Sequence, residues 1–478
     1  MTTTEPALWS ASRQAAAIRD REISSRELLD TYLARIDRLN PKVNAVVTLD
    51  EERARRAADD ADRATAAGSA TGRLHGLPVT IKDALETAGI RSTGGAVELA
   101  EHVPALDAPA VASLRAEGAI VFGKTNLPRW SADGQSYNEL FGVTSNPWDA
   151  SRTPGGSSGG AAAAVSAGLT SFEVGTDIGG SVRMPAHFSG IWGHKPSFGV
   201  IPTLGYLDSV GGGTVESDVN VFGPLARSSE DLSLLLDVLG GPTPDRAPAW
   251  RLELPPPRHE HLADYRVAAW LDDPACPVDT AMQAKLEEAA AALAGAGARV
   301  DHEARPELDL REISRLGARL IGVAASVSMS AEQIEGLAER SRGHANLVHR
   351  HHTWLELHRV RTQVRAVWAE FFRHHDVLLC PVTVGPAFPH QTEGDWTTRH
   401  LLVNGEQRSY SDLIWWTAFI GMAYLPVTTP PLGLSADGLP VSVQVVAPYL
   451  EDRTAIDVAT RLAELVPGAG YTPPPGFV

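Results

Sequence analysis

The chain has 478 residues, of which 42 are Lys or Arg and 58 are Asp or Glu, so its formal net charge is −16. This acidity argues against nucleic acid as the main partner, because binding a phosphate backbone requires a basic surface. Hydrophobic residues make up 43% of the chain, a balance typical of a globular protein with a core large enough to enclose a buried site.

The start of the chain and its two cysteines predict the compartment. MTTTEPALWS contains no basic region followed by an apolar run, so we expect no signal peptide. No stretch approaches the roughly 18 uncharged apolar residues of a membrane span. Cys276 and Cys380 are far apart and lack metal-ligand spacing. We therefore expect a cytoplasmic protein with reduced thiols and no membrane partner.

The first third of the chain alternates between helical and strand patterns. Ser24 and Glu27 form a capping-box pattern, and apolar residues then recur at helical spacing until Asn40-Pro41, which we expect to end the helix. The elements predicted next are a helix at 50–67, a strand at 77–81, a helix at 107–117, a strand at 119–122, a loop at 142–160, a helix at 160–168 and a strand at 171–174.

The rest of the chain continues the alternation after a Pro- and Arg-rich connection at 241–262. The predicted elements are a strand at 266–270, a helix at 279–294, a mainly helical stretch at 310–375, strands at 377–380, 425–429 and 441–446, and a helix at 454–465. The pattern predicts an α/β fold whose central mixed, mostly parallel, twisted sheet is covered by helices on both faces. We expect a single domain over 1–478, with 241–375 as a largely helical inserted subdomain of less distinctive sequence.

Three local patterns suggest chemistry that their context does not support. Residues 118–125 match a phosphate-binding loop letter for letter, but the middle residues Ala-Ile-Val-Phe predict a buried strand. Residues 155–159 match GxSxG, yet the preceding prolines disfavour the strand that a nucleophile elbow needs. The histidines at 349, 351, 352 and 358 lack the i, i+4 pair of a helical metal face. We expect neither a metal nor a cofactor.

Three separated segments carry a lysine and several serines among glycines: GLPVTIKD (76–83), TPGGSSGG (153–160) and GTDIGGSVRMP (175–185). Together they strongly resemble the amidase signature family. The resemblance extends over nearly the whole chain through GKTN (123–126), SNPWD (145–149), GHKP (193–196), GPLARS (223–228), DVLLCPVT (376–383) and GLPVSVQVV (438–446). It implies the amidase signature fold.

The resemblance also implies a Ser-Ser-Lys triad. Ser181 matches the nucleophile, Ser157 the bridging serine, which in the family follows a cis peptide bond, and Lys82 the general base. A serine hydroxyl is a poor nucleophile without a base within hydrogen-bond reach. Lysine can act as that base only when burial or nearby positive charge lowers its pKa enough to make it neutral. The apolar strand that ends at Lys82 makes such burial plausible.

The glycine-rich turn around Ser181 has a second task. Attack on an amide creates an oxyanion, which preorganised N–H groups stabilise. The successive backbone N–H groups of Ile178, Gly179 and Gly180, with that of Ser181, can supply it. Asp177 and Arg183 flank the turn and, by the resemblance, brace it rather than react. Thr176 is expected to hold the local hydrogen-bond network.

Aromatic residues are candidates for an apolar substrate pocket, although core packing is the default explanation for each of them. The candidates are Trp130, Tyr137, Trp192 and Trp416. Three residues depart from the family pattern, namely Arg129, His194 and Ser197. These departures leave the substrate class open.

Three hypotheses for function follow. The first is a stand-alone amidase, a monomer or homodimer, that cleaves small or medium carboxamides or anilides, and also esters or carbamates (urethanes), through an acyl-enzyme. The second is the glutamine-hydrolysing subunit of a tRNA-dependent amidotransferase. Such subunits carry Tyr-Gly and then Arg-Tyr-Gly after GxKP, whereas this chain reads SFGVIPTLGYLDSVGG. The third is a non-enzymatic binding relative, although all three triad residues are present.

Overall fold

The computed structural model describes residues 5–329, 332 and 351–478. The helices are α1 (Ala11–Arg19), α2 (Ser25–Val43), α3 (Glu51–Ala67), α4 (Pro109–Ala116), α5 (Gly159–Ser166), α6 (Arg183–Ser189), α7 (Ser229–Leu239), α8 (Thr280–Gly295), α9 (Leu310–Ala325), α10 (His351–His374), α11 (Trp415–Gly421) and α12 (Asp452–Leu465). The strands are β1 (Val46–Leu49), β2 (Pro78–Lys82), β3 (Ile120–Thr125), β4 (Tyr137–Asn138), β5 (Gly142–Val143), β6 (Glu173–Asp177), β7 (Trp192–Lys195), β8 (Val221–Ala226), β9 (Arg266–Ala269), β10 (Arg299–Asp301), β11 (Val377–Pro381), β12 (His400–Val403), β13 (Glu406–Ser409), β14 (Val427–Thr429), β15 (Pro431–Leu434) and β16 (Pro440–Val446).

Helix α2 begins as predicted and ends later than predicted. The Ser24 hydroxyl accepts the Glu27 N–H at 3.0 Å, and the Glu27 carboxylate accepts the Ser24 N–H at 2.8 Å, which confirms the capping box. The expected stop at Pro41 is wrong, because the helix continues to Val43 and ends at Asn44 in the left-handed conformation. Pro41 lies in the last turn, where its missing N–H removes a single hydrogen bond.

The central sheet has nine strands in the order β10-β9-β11-β16-β14-β7-β8-β6, with β15 paired to β16. The α/β class and a mixed sheet flanked by helices are confirmed. The expectation of a mostly parallel sheet is wrong: β9 pairs in parallel with β10 and β11, whereas the other pairings are antiparallel. Strands β6 and β7, joined through α6, do run in the same direction. Strand β8 lies between them, so each has an antiparallel neighbour.

A second, three-stranded sheet of order β1-β3-β2 carries Lys82 at the end of β2. Strand β3 contains the middle residues of the apparent phosphate loop, which explains why that pattern has no loop to bind phosphate. Its Lys124 is fully buried and donates hydrogen bonds to the Leu85 carbonyl at 2.6 Å and the Thr87 hydroxyl at 2.7 Å. This lysine therefore has a structural role.

Within segment 241–375, the described residues form the long helices α8, α9 and α10 and also strands β9 and β10. Both strands belong to the nine-stranded sheet, so this segment is hydrogen-bonded into the same sheet as the site-bearing strand β6. The division into a main domain and an inserted subdomain stays a prediction.

No helix within the described ranges is both long and apolar enough to cross a membrane. In the same ranges, no group of three or more His, Cys, Asp or Glu is placed to hold a metal ion. His349 lies outside the described residues, and His352 and His358 belong to α10.

Candidate active site

Lys82 is the last residue of β2, a strand whose five residues are all buried. Its Nζ atom forms hydrogen bonds with the hydroxyls of Ser157 at 2.6 Å, Thr176 at 2.7 Å and Ser158 at 3.1 Å. These contacts confirm that Lys82 and Ser157 meet in space, although 75 residues separate them in the sequence. They also place the Thr176 hydroxyl in the same hydrogen-bond network.

Burial lowers the pKa of Lys82 well below its ordinary value of 10.5, although the negative charges of Asp177 and Glu173 oppose this shift. The hydrogen-bond partners of the amine are hydroxyls and not carboxylates, so they compensate a positive charge only weakly. The neutral amine is therefore favoured, and a neutral amine can accept a proton.

The loop that carries Ser157 is tightly held. The peptide bond between Gly156 and Ser157 is cis, as the family resemblance implied. The Ser136 hydroxyl donates to the Gly155 carbonyl at 3.0 Å and accepts the Gly159 N–H at 2.9 Å. A Cβ atom at Gly156 would lie 2.5 Å from the Gln135 nitrogen, so only glycine fits there. Ser157 itself is buried just before α5.

Ser181 lies in the turn between β6 and α6. The Ser158 N–H donates to the Ser181 carbonyl at 3.3 Å, which holds the two serine-bearing segments side by side. Ser181 is partly exposed, whereas Lys82 and Ser157 are buried. A ligand can therefore reach Ser181, whereas Lys82 and Ser157 are enclosed by the protein.

The Asp177 carboxylate organises the turn. It accepts the Gly180 N–H at 2.8 Å and the Val182 N–H at 3.1 Å. The Arg183 guanidinium binds the same carboxylate through two nitrogens at 2.8 and 3.0 Å. Burial opposes ionisation of Asp177, but the Arg183 contacts outweigh it and lower the pKa to about 2. This geometry matches the expectation that Asp177 and Arg183 brace the turn.

Gly180 departs from its predicted role as an oxyanion donor, because its N–H is already bound by Asp177. Among the residues that the structure describes, no acceptor binds the N–H groups of Ile178, Gly179 or Ser181. Gly180 is instead required for shape: its φ is 118°, and a Cβ atom would lie 2.7 Å from the Thr417 hydroxyl. The candidate oxyanion donors are therefore Ile178, Gly179 and Ser181.

Glu173 is a site-adjacent residue that sequence reasoning missed. It is fully buried on β6 and accepts a hydrogen bond from the Thr80 hydroxyl at 2.6 Å. Burial raises its pKa to about 7, against the opposing hydrogen bond from Thr80. The available signal was a glutamate inside a short apolar strand, since Glu is almost never buried without a reason.

A cavity of about 290 Å³ opens onto Ser181, Ile178 and Gly179. Its walls are mostly apolar and include Trp130, Met184, Tyr206, Ile321, Trp396 and Ile414. Of the four aromatic pocket candidates, Trp130 lines this cavity. Helix α9 contributes several further lining residues, and its amphipathic pattern was the signal that could have revealed them.

The other three aromatic candidates do not line this cavity. The Tyr137 hydroxyl donates to the Asp133 carboxylate at 3.0 Å. Trp192 is buried on β7 as part of the hydrophobic core. Trp416 is fully buried, and its ring packs edge-on against Trp270 with 5.8 Å between ring centroids. Core packing, the default explanation from the sequence, accounts for both tryptophans.

The three residues that depart from the family pattern make structural contacts. The His194 ring lies 3.2 Å from the Asp452 carboxylate, and the Ser197 N–H donates to the same oxygen at 2.8 Å. Both therefore tie the β7 segment to the start of α12. Arg129 forms a surface ion pair with Glu98 at 2.5 Å. None of the three lines the cavity at Ser181.

Comparison with known proteins agrees with this geometry. Residues 27–456 match the sequence model of the Amidase family. The chain is 33% identical to the indoleacetamide hydrolase of Bradyrhizobium diazoefficiens, over 95% of this chain and 86% of that protein. It is 31% identical to a glutamyl-tRNA(Gln) amidotransferase subunit of Synechococcus sp., over 94% of each. The solved structure of a bacterial aryl acylamidase of the amidase signature family superposes with a TM-score of 0.82 at 26% identity, over 97% of each chain. The chain belongs to the amidase signature family.

Proposed function

We propose that this protein is a serine amidohydrolase that cleaves the C–N bond of small or medium carboxamides or anilides through an acyl-enzyme on Ser181. The observation that carries the proposal is the fully buried Lys82 amine, hydrogen-bonded to Ser157 at 2.6 Å next to the Ser181 turn. A lysine with a depressed pKa in such a position serves as a proton acceptor.

The chemistry follows the order of the residues. The Ser181 hydroxyl attacks the substrate carbonyl while its proton passes to Ser157, whose own proton passes to the neutral Lys82 amine. The protonated lysine then returns a proton through Ser157 to the leaving amine as the C–N bond breaks. Water hydrolyses the resulting ester by the same route in reverse. Here Ser157 and Lys82 together perform the role that histidine has in the better-known triad.

Backbone groups and the cavity complete the proposed site. The N–H groups of Ile178, Gly179 and Ser181 are the donors for the oxyanion, and each such donor is worth about 3 kcal/mol in the transition state. The apolar cavity walls favour substrates with an apolar or aromatic group. Esters and carbamates would pass through a related acyl or carbamoyl enzyme, so we expect them to be alternative substrates.

The alternative function is glutamine hydrolysis for a tRNA-dependent amidotransferase, and similarity to amidotransferase subunits supports it. Two observations favour the stand-alone amidase instead. The described lining of the cavity contains no Lys, Arg or His to bind the α-carboxylate of glutamine, and the Tyr-Gly and Arg-Tyr-Gly pattern of those subunits is absent after GHKP. A non-enzymatic role is disfavoured because the lysine and both serines are all present.

The decisive experiment compares the wild type with Ser181→Ala on an apolar acyl p-nitroanilide. We expect the wild type to release p-nitroaniline with an acyl adduct on Ser181 that mass spectrometry detects, and the variant to lose about 10⁴-fold or more in kcat/KM. Ser69→Ala, a change at an exposed serine outside the site, is the matched control. Hydrolysis that survives in Ser181→Ala contradicts the mechanism. Ammonia release from glutamine, but not from apolar amides, favours the alternative.

A further inference from the structure

The charge balance of the cavity at Ser181 is uneven. Its lining contains two carboxylates, those of Asp133 and Asp208. Within the described part of the chain, that lining contains no Lys, Arg or His. A carboxylate next to apolar walls is costly unless a counter-charge or several hydrogen-bond donors compensate it. The two carboxylates differ in how many hydrogen bonds and ion pairs they receive from the rest of the protein.

Asp133 is fully compensated by the protein. The Arg399 guanidinium binds it at 2.6 Å, and the hydroxyls of Tyr410 and Tyr137 donate to it at 2.8 and 3.0 Å. Its two oxygens therefore already have a cation and two neutral donors. This carboxylate has little capacity left for a ligand.

Asp208 lacks such compensation. The hydrogen bond that it accepts from a side chain comes from the neighbouring Ser209 hydroxyl, at 3.2 Å. Among the described residues, no Lys, Arg or His nitrogen lies within the 4.0 Å ion-pair distance of the Asp208 carboxylate. Asp208 is only partly exposed, and burial raises its pKa. None of the described residues therefore supplies a positive charge to Asp208, whereas a positively charged occupant of the cavity can do so.

We infer that Asp208 makes the enzyme selective for amides that carry a protonated amine in addition to an apolar group. The ammonium group would bind the Asp208 carboxylate while the apolar part packs against walls such as Tyr206 and Ile321. This inference rests on the proposed function and narrows its substrate class. It assigns to Asp208 the role of a specificity residue, with no part in bond cleavage.

The test uses two pairs of p-nitroanilides that differ only in the amine. One pair is the phenylalanine and 3-phenylpropanoic acid derivatives, and the other is the 5-aminopentanoic and pentanoic acid derivatives. Each is measured with the wild type, Asp208→Asn and the control Asp437→Asn, which removes an exposed carboxylate in the turn between β15 and β16. We expect the wild type and the control to prefer the amine-bearing member of at least one pair by about tenfold or more in kcat/KM, the size of one charge-assisted hydrogen bond.

In Asp208→Asn this preference should vanish, while kcat/KM for the neutral members stays within about threefold of wild type, which also shows that the variant is folded. A wild type without preference in either pair overturns the inference, as does a preference that survives in Asp208→Asn. Both outcomes leave the proposed function intact, because the neutral anilides are still cleaved and Ser181→Ala still abolishes cleavage.

A binding measurement tests whether Asp208 binds an ammonium group even if no anilide is cleaved. Calorimetry compares 4-phenylbutylamine with 4-phenylbutanol on the Ser181→Ala protein, with and without Asp208→Asn. Tighter binding of the amine that is lost with Asp208→Asn supports the inference. Equal binding of amine and alcohol, or amine binding that does not depend on Asp208, refutes it.

Discussion

The strongest prediction concerns Lys82→Met, which keeps the length of the side chain and removes the proton acceptor. The wild-type amine forms hydrogen bonds at 2.6, 2.7 and 3.1 Å, each worth about 1 kcal/mol net, so their loss costs at most about 3 kcal/mol of stability. Because the variant no longer has to bury an amine, part of this cost is recovered. Loss of the base should lower kcat/KM by about 10²- to 10⁴-fold.

The assay separates the two effects. We propose to measure kcat/KM with an apolar acyl p-nitroanilide and the free energy of unfolding in urea on the same preparations. Lys124→Met is the matched control, because Lys124 is equally buried and also donates three hydrogen bonds, to Leu85, Thr87 and Ser92. The control should lose stability while its folded fraction keeps wild-type turnover.

A general-base role for Lys82 is refuted if Lys82→Met retains kcat/KM within about tenfold of wild type, since general-base catalysis is worth at least about 10²-fold. It is also refuted if Lys124→Met loses as much activity as Lys82→Met at equal folded fraction. In that case the loss would follow from removing any buried lysine of this region.

Two further predictions test the neighbours of the triad. Burial raises the pKa of Glu173 from 4.5 to about 7, so over this range the folded protein keeps a proton that the unfolded chain releases. From pH 4 to pH 8 the free energy of unfolding of wild type should therefore fall by about 3 kcal/mol relative to Glu173→Gln, as measured in urea. Gly180→Ala should lower kcat/KM by about 10²-fold or more, because the added methyl group would clash with Thr417 and displace the turn that carries Ser181.

Each of these predictions has its own check. Equal pH dependence of stability in wild type and Glu173→Gln would show that Glu173 titrates normally. For the glycine, Gly199→Ala is the control: its φ is also positive, at 86°, but a Cβ atom there meets no atom within 4 Å. If Gly199→Ala lowers kcat/KM as much as Gly180→Ala does, then backbone strain in general, and not the position of this turn, limits activity.

Much of the candidate site could be predicted from short motifs. The apolar strand before Lys82, the glycines around Ser157 and the glycine-rich turn before Ser181 are local patterns, and their order in the chain carried the family resemblance. The structure brings all three segments together as the resemblance implied. Local chemistry sufficed here because each side chain sits at the end of an element or in a turn whose residues define its conformation.

The remaining features depend on the folded path of the chain, either within one turn or between distant segments. The Gly180 N–H could not be assigned from sequence, because it is bound by the Asp177 carboxylate rather than left for an oxyanion. Trp416 was a pocket candidate with core packing as its default explanation, and its contact with Trp270 shows that it belongs to the core. The wall that α9 contributes to the cavity comes from residues more than 100 positions after Ser181.

The sequence by itself determined the family, the α/β class and which lysine and two serines are the candidates for catalysis, since these follow from local patterns and their order. Only the tertiary structure decided that the sheet is largely antiparallel, because strand order depends on which long-range pairings bury the most surface. Only the tertiary structure also showed that Asp133 is neutralised by Arg399 while Asp208 is not. Arg399 lies far from Asp133 in the sequence, so its charge reaches that carboxylate only in the folded protein.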